Sequence, residues 1–161
     1  MKKVLLLVMI FISFSVLSQD DKSSSLLYIM SPGSLDDGYS FGLQLEHIGN
    51  SIYVGPELYI FPDLNGIDYL HLIGRFGYNN HLGNYNRGLR IYLGGRGGIL
   101  RRGGNGYALL GFEGGIDYVI PNSSLFIRLS IARDFKTDSK LWSRDDNHRV
   151  DSGIVGIGFK F

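Results

Sequence analysis

In the stretch SLFIRLSIARDF the side chains sort onto two faces of an extended chain. Leu125, Ile127, Leu129 and Ile131 fall on one, and Phe126, Arg128, Ser130, Ala132 and Asp134 on the other. The same split recurs. In RGLRIYLGGRGG, Leu89, Ile91 and Leu93 oppose Arg90, Tyr92, Gly94 and Arg96. In YALLGFEGGIDYVI, Leu110, Phe112, Ile116, Tyr118 and Ile120 oppose Gly111, Glu113, Gly115 and Asp117. The final stretch sets Val155, Ile157, Phe159 and Phe161 against Ile154, Gly156, Gly158 and Lys160. Earlier in the chain Ile52, Val54, Leu58 and Ile60 oppose Tyr53, Gly55, Glu57 and Tyr59, with Pro56 between them predicting a bulge or a local break. Beyond the first eighteen residues no period-3.6 stripe or helix cap forms, so the chain reads as all-β.

Strands are predicted at residues 24–31, 38–48, 51–61, 67–78, 87–98, 106–120, 123–135 and 149–161, about eight in all. The separators SPGSLDD, GN, FPDLNG, NNHLGNYN, LRRGGNG, PNSS and KTDSKLWSRDDNH are rich in the Gly, Asn, Asp, Ser and Pro that turns require.

Two opposite architectures fit this alternation. A soluble, lipocalin-like barrel or sandwich turns the aliphatic face inward and would hold an apolar ligand. A transmembrane barrel turns it to lipid and seals the polar face inside. Several features favour the second. The polar face carries Arg, Glu, Tyr, Gly and Ser rather than the lysine-rich mixture of a solvated sheet, and small glycines beside large side chains suit a narrow filled lumen. Its charges nearly cancel: Arg75, Arg90, Arg96, Arg128 and Lys160 against Glu46, Glu57, Glu113, Asp117 and Asp134. Most strands reach about 11 residues, the length a tilted strand needs to cross a bilayer.

The chain begins MKKVLLLVMIFISFSVLS, with Lys2 and Lys3 before an apolar run and small residues Val16 and Ser18 at its close. This is the pattern of a cleaved signal peptide over residues 1–18, leaving residues 19–161 as one exported domain. Its apolar run is too short for a spanning helix and is followed by QDDKSSS rather than a basic flank. The chain has no cysteine, which excludes disulfides and a lipoprotein anchor. Of 16 Lys+Arg, two leave with the signal while all 15 Asp+Glu stay, so the mature balance is 14 − 15 = −1. Despite GGRGG and RRGGNG, a near-neutral chain offers no electrostatic case for nucleic acid.

The carboxyl-terminal pattern of alternating apolar residues ending in Phe159 and Phe161 resembles the assembly signal of bacterial outer-membrane β-barrels, and YALLGFEGGIDYVI is similar to strands of porin-like families in Gram-negative bacteria. The chain thus resembles the small OmpA/OmpX-like barrels. The resemblance implies a single eight-stranded antiparallel up-and-down barrel, a monomer in the outer membrane, in contact with its lipid and recognised by the assembly machinery at the last strand through Phe159 and Phe161. It implies no cofactor. With both ends in the periplasm, SPGSLDD, FPDLNG, LRRGGNG and KTDSKLWSRDDNH become outward loops, and Tyr78, Tyr118, Phe159 and Phe161 at one rim with Tyr39 and Phe135 at the other form interfacial girdles.

Chemistry is sparse. Barrels of this kind that deacylate lipopolysaccharide carry a His-x-Ser-Asn pattern, which is missing here; His148 and Ser152 in HRVDSG lie about 13 Å apart on an extended strand, beyond hydrogen-bond reach. No catalytic residue is assigned. Asp145, Asp146 and His148 could ligate a divalent cation, although a solvated polar loop is the plainer reading and no metal is assigned. Trp142 in the same loop could touch headgroups or a partner. The ten charges of the polar face could select ions in a narrow pore, but a barrel of about eight strands is just wide enough for its own side chains, and a salt-bridged plug is expected.

Overall fold

The computed structural model describes residues 23–31, 40–49, 51–64, 67–83, 88–102, 104–137 and 149–161. The expected signal peptide, Tyr39, Trp142, Asp145, Asp146 and His148 lie outside them.

Aliphatic and aromatic residues at every second position favour extended chain. The strands are β1 (Ser23–Ser31), β2 (Ser40–Ile48), β3 (Ile52–Leu64), β4 (Ile67–Leu82), β5 (Gly88–Arg102), β6 (Asn105–Val119), β7 (Leu125–Lys136) and β8 (Arg149–Lys160). Each pairs antiparallel with its neighbours in sequence. Residues 25–30 of β1 also pair with 155–160 of β8, returning the sheet on itself as a barrel.

Turn chemistry closes the hairpins at the carboxyl-terminal end. Between β2 and β3 the Gly49 amide donates to the Ile52 carbonyl at 2.8 Å. Between β6 and β7, Asn122 takes φ 60°, a left-handed conformation asparagine tolerates, and the Ser123 Oγ accepts from the Leu125 amide at 3.0 Å.

Three separators are shorter than their composition predicts. LRRGGNG is taken up by β5 as far as Arg102 and by β6 from Asn105, with Gly104 before β6 at φ 94°. The first four residues of FPDLNG likewise belong to β3, with a register irregularity between Phe61 and Leu64. NNHLGNYN begins in strand, Asn79 and Asn80 pairing with Tyr92 and Ile91 and β4 running on to Leu82. Pairing with an adjoining strand outweighs the local turn preference of Asn and Gly. The strands on either side of LRRGGNG and FPDLNG therefore reach further than the separators predict.

Pro56 makes no bulge against β2 but breaks the ladder locally. The register with β2 is the same on both sides of it, but the pairs opposite Leu45 and Glu46 are missing from the ladder, as expected of a residue with no amide hydrogen.

Candidate functional site: the charged interior

The two faces are separated by burial. On β7, Leu125, Ile127, Leu129 and Ile131 are 42, 41, 49 and 73% exposed, whereas Phe126, Arg128, Ser130, Ala132 and Asp134 are all at most 8% exposed. The same parity runs through the other strands whose side chains are described, placing Leu43, Val54, Phe76, Leu93, Leu110 and Ile157 on the exterior. The soluble barrel with an apolar interior required the inverse arrangement and does not hold. That fold would leave the charges hydrated and hide the aliphatic face, whereas here the charges are buried and the aliphatic face is exposed.

Nine of the ten charges predicted to share the interior are buried: Glu46, Glu57, Arg75, Arg90, Arg96, Glu113, Asp117, Arg128 and Asp134. The tenth, Lys160, is half-buried at the end of β8. Alternation alone aims them inward, and register brings them together.

A continuous ion-pair chain links them. Asp134 Oδ1 meets Arg96 Nε at 3.0 Å, and Arg96 Nη2 donates to Glu57 Oε1 at 2.9 Å. Glu57 Oε2 lies 3.1 Å from Arg75 Nε, which also donates to Glu113 Oε2 at 2.9 Å. Arg75 Nη1 donates to Glu46 Oε2 at 2.9 Å. Arg128 bridges Glu46 at 3.0 Å and Asp117 through two parallel bonds of 2.7 Å each. Arg90 pairs with Glu46 and, at 3.1 Å, with Asp117. Glu46 thus faces three guanidiniums and also accepts from Gln44 at 2.6 Å. A buried ion costs several kcal/mol in lost hydration, and bidentate geometry with several partners is what offsets it.

Two tyrosines that the sequence placed on this face, without a role, organise the cluster. Tyr53 Oη donates to Glu113 at 2.8 Å. The Tyr92 ring lies 4.8 Å from the Arg128 guanidinium carbon, 5.0 Å from that of Arg90 and 5.7 Å from that of Arg75, and packs edge-on against Tyr53. Arginine stacks well on aromatic faces, so one ring separates three like charges while attracting each. Glycine makes the room. A Cβ on Gly94 would strike the Tyr53 hydroxyl and the Phe76 carbonyl, and one on Gly115 would lie 2.8 Å from the Tyr92 hydroxyl.

Apolar side chains flank the charges. Toward the β5–β6 tip lie Tyr59, Ile73, Leu100 and Leu109, and toward the opposite end Ile48, Val119 and Phe126, all buried. Lys136, read as the first residue of a loop, is instead the buried last residue of β7. His71 and Asn79 are also interior and went unassigned in the sequence, since a single polar residue on an alternating face carries no distinguishing signal. Phe159 and Phe161 stand on the exterior, 49 and 59% exposed, in line with Val155 and Ile157. Ser152 is half-buried on β8.

An antiparallel barrel sheet with a greasy outside and a self-neutralising charged inside is the fold of the small outer-membrane β-barrels. Solved structures agree. The chain is similar to a de novo designed transmembrane β-barrel (TM-score 0.58, 9% identity, 89% of this chain and 98% of that one). It is equally similar in fold to the N-terminal β-barrel domain of OprF from Pseudomonas aeruginosa (TM-score 0.58, 13% identity, 86 and 97% covered). Neisserial surface protein A matches with a TM-score of 0.53 at 15% identity, over 87 and 96% of the two chains. At such identities the likeness is one of fold alone. No protein-family model matches the chain, and no curated protein matches it in sequence.

Proposed function

We propose that this chain, after loss of residues 1–18, is a single eight-stranded barrel of the outer membrane that does not conduct, and that it serves structurally or through contacts made by its outward connections. The observation that carries the reading is the joint burial of nine charges, paired among themselves, beneath a band of exposed apolar side chains. Soluble monomers rarely expose apolar patches beyond a few hundred Å², and every strand whose side chains are described exposes large apolar residues.

Strand length supports the span. From Leu125 to Arg133 the exterior of β7 rises eight residues, about 26 Å along the strand and about 20 Å of membrane height at a tilt near 40°. Tyr78 and Tyr118 stand near one end of that band and Phe135 near the other, as interfacial aromatics do. The carboxyl-terminal end faces the periplasm in this reading, with the long hairpin tips and residues 138–148 outward. Phe159 and Phe161 act as the assembly signal, and the barrel is monomeric, with lipid and the assembly machinery as its partners and no cofactor or catalytic group.

Ion passage is the competing reading. Against it stand the paired guanidiniums of Arg75, Arg90 and Arg128 around Tyr92 and the buried apolar residues on both sides of them. Fractionation and gel mobility test the proposal: the protein should be recovered with the outer membrane and migrate differently when heated. Recovery in the soluble periplasmic fraction would refute it.

A further inference from the structure

We draw no further inference here: the strongest candidate, the open apolar groove on the exterior of β6–β8 where Ile131 stands between Gly114 and Gly153 below the Arg133–Asp151 ion pair, carries nothing because it belongs to the face already read as lipid-facing and nothing in the structure shows what else covers it.

Discussion

Tyr92 bears three guanidiniums on a ring whose hydroxyl is buried without a hydrogen bond, so at this position the ring, not the oxygen, is what matters. Tyr92→Phe should therefore cost under about 1 kcal/mol in urea unfolding from lipid, whereas Tyr92→Ala should cost about 3–5 kcal/mol through the cavity and the lost stacking. Glu46 is the complementary case. It faces Arg75, Arg90 and Arg128, and Glu46→Gln leaves those cations short of a counter-charge inside a sealed space. A loss of about 3–5 kcal/mol is expected, and a variant as stable as wild type would mean that water reaches the cluster. Glycines divide by face. Gly94→Ala should destabilise by about 1–3 kcal/mol, because its Cβ meets the Tyr53 hydroxyl and strand backbone, while Gly153→Ala points into open space and should be close to neutral.

Strand β7 shows how strictly an element obeys its parity. Leu129 and Arg133 share the exterior face four residues apart, yet one sits at mid-band and the other beside Asp151 at the outward end. Leu129→Arg should cost about 2–4 kcal/mol on transfer to the bilayer, since a charge at the midplane has no partner and no water. Equal stability of the variant would reverse the assignment of inside and outside. β3 shows the tolerance of the same architecture. Pro56 interrupts the ladder on the β2 side, while its pairing with Gly74 on β4 keeps the register as far as Phe61.

For the whole molecule the prediction concerns transport. With Arg75, Arg90, Arg96 and Arg128 each held by two or more carboxylates, planar-bilayer recordings should show no steady conductance. A stable current abolished by Arg90→Ala and Arg128→Ala would establish a pore and end the filled-interior reading.

What the sequence determined by itself was the all-β class, the two faces of β3 and β5 to β8 and the inward set of charges from Glu46 to Asp134, because a period of two assigns a side to every residue without knowledge of its neighbours. Strand ends were less legible: Asn79, Asn80 and Asn105 are turn residues by type, and only pairing with the neighbouring strand drew them into the sheet. Partnership was not legible at all. That Arg128 reaches Glu46 across 82 residues, that Tyr92 lies among three arginines, and that Ile131 stands between two glycines below Arg133 follow from register between strands. Register is settled only when the sheet pairs, since it depends on two strands at once and no single strand encodes it.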